Sequence, residues 1–469
     1  MSRSTLREIL RLGWPVFVAQ IAVMANGFID TIMAGRYSTV DLAGIGVGAS
    51  IYMSIFVAVM GVLLALTPTV SQLYGAGRHA EVGEEVRQSV WLSVVLAVIC
   101  LAALAFPEPM MAFTRLEPAV EERTRGYLAA SAWGVPAMLL FRVFYGFSTA
   151  VSRPRVIMAL NLVGLLLKVP LNAVFMYGML GFPEMGGVGC GVANAVIAWT
   201  TAIAAWWWCY ADAGYRRYEV FAHWSWPRPR RIGRLVSLGL PIGATFFLDV
   251  TGFTFMALFI ARLGPTHSAA HQIAANFAAI LYMLPLAIGN AASVLVGHAI
   301  GGRDFTKARA TGLSGIATSF TCGCTVALLL FLNRGAVASL YTQDPEVVAL
   351  AGTLLAFVAG YHLFDSVQAV AVNVLRGYKR ALVPMAIYAV ALWGVGLGGG
   401  YVLGLRGVES RLLGLDGPMG AAGFWTAAIA SLLLAGTLVG VYFLKVSAAA
   451  VEDAPTDPAT PGQNTTNRR

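Results

Sequence analysis

The chain has 469 residues, of which 58% are hydrophobic and 12% charged, and its formal net charge is +9. Soluble domains carry about 25% charged residues, and soluble chains of this length divide into domains joined by polar linkers, so the composition excludes an ordinary soluble protein. The basic residues form short clusters between apolar runs rather than one long stripe, which argues against a nucleic-acid partner and for a lipid bilayer.

A hydrocarbon core of about 30 Å takes about 20 apolar helical residues to cross. By that measure spans are expected at about 12–36, 42–70, 88–107, 127–150, 156–180, 188–211, 235–262, 268–298, 312–332, 347–375, 382–405 and 419–444. Helix is expected throughout, because a lone strand in lipid leaves its backbone unbonded and barrel strands would alternate apolar and polar residues. Twelve spans put both termini on one side. About 22 Lys and Arg fall in loops of that side, Arg376 among them, against about 8 in the others, which places both termini in the cytoplasm of an inner-membrane protein. The first run is long enough to span and no small-residue cleavage site follows it, so it is not read as a removable signal peptide. The five cysteines lie in or beside apolar runs with no Cys-x-x-Cys pair and are read as buried small hydrophobes. From about 446 onward the chain is rich in Ala, Thr, Pro and Asn and is expected to be disordered. Its sequon at Asn464 is expected to stay unmodified in the cytoplasm.

The chain repeats itself with a shift of about 226 residues. Leu12-Gly13-Trp14-Pro15 opens the first span and Leu238-Gly239-Leu240-Pro241 the seventh; Gly77-Arg78 closes the second and Gly302-Arg303 the eighth. Met185-Gly186 precedes the sixth span and Met419-Gly420 the twelfth. The expected fold is therefore an all-α integral membrane protein, with twelve transmembrane helices in two pseudo-symmetric six-helix bundles. The bundles are expected at 1–211 and 235–445, joined by a basic cytoplasmic loop at 212–234 and followed by a tail at 446–469. Parallel repeats of this kind are a transporter architecture, with the substrate site between the bundles.

A charge at mid-bilayer costs at least about 2.5–3.5 kcal/mol, so it must face a partner or a cavity. Asp249 lies roughly 20 Å from either end of the seventh span, and Asp365 roughly 16 Å from the cytoplasmic end of the tenth. Two carboxylates at similar depth can share a proton or a Na⁺ ion, making Asp249 and Asp365 a candidate ion site. Tyr361, one turn before Asp365, can complete the oxygen shell. The plainer reading of each carboxylate is a hydrogen bond to a neighbouring helix. Asp30, with Asn26 one turn away and Asn172 at similar depth, marks a second acidic site in the first bundle, unless Asp30 reaches outward past the end of its span. Lys168 is a candidate partner for Asp30, and Arg142 is expected to hold structure through backbone carbonyls. His271, His298 and His362 fit no metal spacing or triad, though one of them could relay protons. No Gly-Lys dipeptide occurs, so there is no P-loop. The loose Gly44-Ile45-Gly46-Val47-Gly48-Ala49 match to a dinucleotide fingerprint lies in an apolar helix with no strand before it and is set aside. No enzymatic centre and no cofactor are expected.

The motifs resemble the multidrug and toxic compound extrusion family, and its NorM branch above all, over about residues 10–445. The resemblance rests on Leu12-Gly13-Trp14-Pro15 with Gln20, Gly27-Phe28-Ile29-Asp30-Thr31-Ile32-Met33-Ala34-Gly35, Gln72-Leu73-Tyr74-Gly75-Ala76-Gly77, Arg153-Pro154-Arg155 and Val169-Pro170-Leu171-Asn172. It continues in Gly186-Gly187-Val188-Gly189-Cys190-Gly191, Leu375-Arg376-Gly377-Tyr378-Lys379 and Gly423-Phe424-Trp425-Thr426-Ala427. It implies two bundles rocking between outward-open and inward-open states, exporting bulky organic cations such as dyes and fluoroquinolones against Na⁺ or H⁺. It also implies cation and drug binding at Asp30, Asp249 and Asp365, and Arg142 matches the family as well. The chain departs from the pattern at Asp249, where the branch usually carries Glu, and at Lys168, where a neutral Asn is expected. A monomer in the bilayer is expected. The rival reading is a flippase of lipid-linked precursors with related architecture. That reading wants a strongly cationic cavity, whereas the buried charges here are three Asp against one Arg and one Lys.

Overall fold

Backbone in lipid must satisfy its hydrogen bonds within its own segment, and the apolar runs accordingly fold as helices. The computed structural model describes residues 3–111, 116–410 and 415–453. The first half holds α1 (Arg3–Tyr37), α2 (Thr39–Leu63), α3 (Leu66–Gly75), α4 (His79–Ala105), α5 (Glu108–Met111), α6 (Pro118–Ala132), α7 (Val135–Ala150), α8 (Pro154–Met176), α9 (Gly187–Ala211) and α10 (Ala213–Arg216). The second holds α11 (Pro229–Ala261), α12 (Pro265–Gly301), α13 (Phe305–Ser339), α14 (Pro345–Gly377), α15 (Leu382–Ala389), α16 (Gly399–Tyr401) and α17 (Ala421–Glu452). A short antiparallel hairpin, β1 (Val408–Ser410) and β2 (Leu415–Gly417), precedes α17. Side chains set the helix starts: Ser38, Asp304 and Asp344 accept from first-turn amides of α2, α13 and α14.

Among the described residues, eleven helical segments are long and apolar enough to cross a membrane, and the bent pair α6–α7 makes twelve. That pair corrects the straight fourth span expected at 127–150. The helix starts at Pro118 and bends by 48° between Ala132 and Val135, where Pro136 has no amide hydrogen to offer the preceding turn. Other boundaries move too. α11 begins at Pro229, inside the stretch expected as loop, and α17 runs on to Glu452, past the expected end at 445. The tail expected to be disordered falls mostly on 454–469, outside the described residues, as does Asn464. Along the eleventh span the helix widens to π geometry over Val390–Gly398 and Val402–Arg406. There Gly400 and Gly404 lie so close to Phe424 that an added Cβ would come within 2.6 Å and 2.5 Å of its ring.

The repeat is visible in the backbone. Gly77 and Arg303, one shift apart, both take left-handed conformations, at φ 72° and 61°. Gly186 and Gly420, before the sixth and twelfth spans, share another glycine conformation, at φ/ψ 56°/−133° and 61°/−140°. The largest apolar core of the first half and one core of the second each take in residues from the other half. Ile9 of α1 is buried in a second-half core, and its repeat mate Leu235 of α11 is buried in the first.

The connection between the halves is pinned to α4. Gln88 Nε2 donates to the Trp226 carbonyl (3.0 Å), Trp91 Nε1 to the Ser225 carbonyl (2.9 Å), and Ser225 Oγ to Glu84 Oε1 (2.7 Å).

The bundles meet most closely on the terminal face, the one that carries Arg3 and Glu452. Gly61 abuts Gly243, and Gly239 abuts the Val62 carbonyl. Gly75 abuts the His298 carbonyl, while its repeat mate Gly301 abuts the Gln72 carbonyl. Two hydrogen bonds across this seam are also related by the repeat. Gln72 Nε2 donates to the Gly377 carbonyl at 2.8 Å, and His298 Nε2 donates to the Ala150 carbonyl at 2.7 Å. Nearer the opposite face, a Cβ added at Gly27 or Gly46 meets nothing within 4 Å. A Gly75→Val side chain would overlap the backbone of α12, and overpacking of this kind costs about 1–3 kcal/mol. The variant is expected to unfold at a lower temperature in detergent than the wild type, by an amount that reflects this cost. An unchanged unfolding midpoint would contradict the close packing of Gly75 on α12.

Candidate functional site

Of the charges inside the spans, Asp30 and Lys168 of the first bundle are matched with each other. Lys168 and Asn172 are four residues apart on α8 and so share a face, and both reach Asp30 on α1. Lys168 Nζ lies 2.7 Å from Asp30 Oδ1, and Asn172 Nδ2 donates to the same oxygen at 2.8 Å. Asn194 of α9 closes the cluster. Its Nδ2 donates to Asp30 Oδ2 at 3.2 Å, and its Oδ1 accepts from Lys168 Nζ at 2.6 Å. Lys168 is fully buried. The one available ammonium therefore lies on the one available carboxylate, and the cluster is neutral as it stands. Asn26 stays apart, with its amide donating to the Ala22 carbonyl at 3.1 Å. Asn194 escaped the reading of the sequence, although an amide within an apolar helix was a signal that could have found it.

The second bundle is unmatched. Asp249 on α11 is half-buried and Asp365 on α14 is buried, and each lies one turn from a ring of the edge-on pair Phe253 and Tyr361. Tyr388 of α15 donates its hydroxyl to Asp249 Oδ1 at 2.7 Å. Asp365 has no hydrogen-bond or ion-pair partner among the described residues, and neither carboxylate has a Lys or Arg within ion-pair distance. Tyr361 sits edge-on to Phe253 and Trp425, with ring centroids 6.2 Å and 5.7 Å away. The hydroxyl bound to a carboxylate is thus that of Tyr388, and Tyr361 contributes an aromatic wall. Tyr388 could not be picked out beforehand, since tyrosines in apolar helices are common and nothing local aims them.

Two further expectations are revised. Arg142 meets no backbone carbonyl among the described residues. Its guanidinium lies 4.5 Å from the Tyr145 ring centroid, and its Nε is buried without a hydrogen bond. Arg376 does not stand in a loop, because α14 continues through Gly377. It is buried, with Nη1 3.1 Å from Asn373 Oδ1 and the guanidinium 5.1 Å from the Phe246 ring centroid. His298 belongs to the seam between the bundles, and His271 and His362 are buried with one ring nitrogen each unpartnered.

Chemically, the second bundle offers two carboxylates, phenolic oxygens and aromatic faces. Small cations are held by the first two and organic cations by all three. Lys168 already occupies the corresponding capacity of the first bundle.

Known proteins share the repeat and the fold. The profile of the MatE family matches residues 15–174 and again 241–402, two segments whose starts are separated by the repeat shift. The chain is 39% identical over 427 residues to the "Probable multidrug resistance protein NorM" of Aromatoleum aromaticum, covering 91% of each. It is 38% identical over 440 residues to the "Multidrug resistance protein NorM" of Vibrio cholerae, covering 93% of this chain and 95% of the other. The fold matches the outward-facing conformation of a multidrug resistance MATE family transporter, with a TM-score of 0.84 at 17% identity over 95% of this chain and 96% of that one.

Proposed function

Because this chain belongs to the MatE family, we propose that it exports organic cations across the inner membrane in exchange for inward Na⁺ or H⁺. It is a multi-pass membrane protein and a multidrug efflux transporter, not an enzyme. In our reading the terminal face is cytoplasmic, as its excess of basic residues favours. The seam on that face then corresponds to an outward-open state. A single observation carries the coupling: Asp249 and Asp365 each lie one turn from the edge-on rings of Phe253 and Tyr361, and among the described residues neither has a Lys or Arg within ion-pair distance. Entry of Na⁺ or H⁺ offsets their charge and weakens the hold on a bound organic cation, which leaves. The bundles then rock, the ion departs on the other side, and the next organic cation binds. Exchange follows because the two ligands favour different states of one equilibrium. We take the monomer as the working unit.

The test is efflux of a fluorescent organic cation from proteoliposomes under an imposed Na⁺ gradient, a pH gradient, or neither. One of the two gradients is expected to drive efflux. Equal rates in all three conditions would remove the antiport reading.

A further inference from the structure

The terminal face carries a charge cluster that the export cycle does not use. A cavity of 580 Å³ opens there between the bundles. Its walls come from α3 and α4 on one side, and from α11 and the α14–α15 turn on the other. Five cations line it, Arg78, Arg231, Arg234, Lys379 and Arg380, against two carboxylates. Both carboxylates are already engaged, Glu81 by Arg78 and Glu85 by Arg231 at 2.6 Å. Arg234, Lys379 and Arg380 have no acidic side chain within ion-pair distance among the described residues. Desolvation, with Arg234 and Arg78 adding repulsion against an offset from Glu85, holds Lys379 below its ordinary pKa, as expected of a cation short of counter-charge. Lys379 also holds a left-handed turn conformation, at φ 56°, and lines a second cavity of 670 Å³ that adds Arg303. The rim is apolar, with Leu73, Leu238 and Leu382.

Unmatched cations gathered in a concavity focus positive potential, and basic pockets between transmembrane helices suit phosphate head groups. We propose that this cavity binds a phosphoryl anion, supplied by an anionic phospholipid head group or by free phosphate, and that the bound anion bridges the two bundles. A ligand that touches both halves only when the terminal face is closed stabilises that closed state.

The test uses full-length protein in nonionic detergent at constant ionic strength. It is titrated separately with dioctanoylphosphatidylglycerol, dioctanoylphosphatidylcholine and inorganic phosphate, and binding is followed by microscale thermophoresis. Saturable binding of the phosphatidylglycerol is expected, at least about tenfold tighter than that of the phosphatidylcholine and at least about tenfold weaker in R234Q/K379Q. Phosphate binding as tight as that of the phosphatidylglycerol, and lost in the same variant, would support the site with free phosphate as its source. If the double variant does not fold, R380Q takes its place, with a weakening of about threefold expected. Absence of saturable anion binding to the wild type, or affinities unchanged in a folded variant, would overturn the proposal.

Discussion

Replacing Asp249 and Asp365 together by asparagine is expected to reduce gradient-driven efflux to the rate of protein-free vesicles. The amides keep the shape of the site, and an asparagine oxygen still accepts from the Tyr388 hydroxyl that bonds Asp249 at 2.7 Å. What disappears is the charge. Interactions with a charged group are worth about 1.5–3 kcal/mol each, so losing two reduces cation affinity roughly a hundredfold or more. Removing two charges from within the spans should leave thermal stability unchanged or slightly raised, which separates loss of binding from loss of fold. Single variants are expected to fall between the double variant and the wild type. Drug resistance and ion-driven transport at wild-type levels in the double variant would end the reading of these two residues as the coupling site.

Lys168→Met is expected to have the largest effect on stability. It leaves the buried Asp30 carboxylate with two amide donors and no counter-charge, and breaking a buried ion pair from one side costs about 3–5 kcal/mol. Replacing both partners, as in Lys168→Met with Asp30→Asn, should restore most of the loss, because a neutral pair of similar volume leaves no bare charge. Thermal unfolding of the two variants in detergent, compared with the wild type, measures this directly. Equal midpoints for all three would mean that the 2.7 Å contact carries no stabilising charge interaction. The double variant should also retain export, since on our reading coupling resides in the second bundle. Loss of export in a stable double variant would move part of the coupling back to Asp30.

The spans were legible because each helix declares itself locally, through a run of apolar residues long enough to cross a bilayer. Their ends were less so. α11 and α17 extend beyond the apolar runs that revealed them, since a helix does not stop where lipid stops. The duplication was legible as recurring Gly and Pro. Its consequence at the seam was not, because Gln72 and His298 are repeat mates of different residue type that bond opposite carbonyls. Lys168 and Asp30 were a natural pair to consider, as the buried cation needed an anion. Asn194 and Tyr388 were not foreseen, because an amide or a phenol in an apolar helix is tolerable without a partner.

By itself the sequence determined the membrane class, the helical spans, the doubling and the depth of each buried charge. All of these depend on what a residue costs in lipid at its own position. Only the tertiary structure decided which charges meet: that Asp30 is neutralised by Lys168 of the distant α8, and that among the described residues Asp249 and Asp365 are left without a cation. That choice turns on the rotation and lateral packing of helices distant in sequence. Close glycine contacts such as Gly61 with Gly243 govern these, and no single segment encodes them.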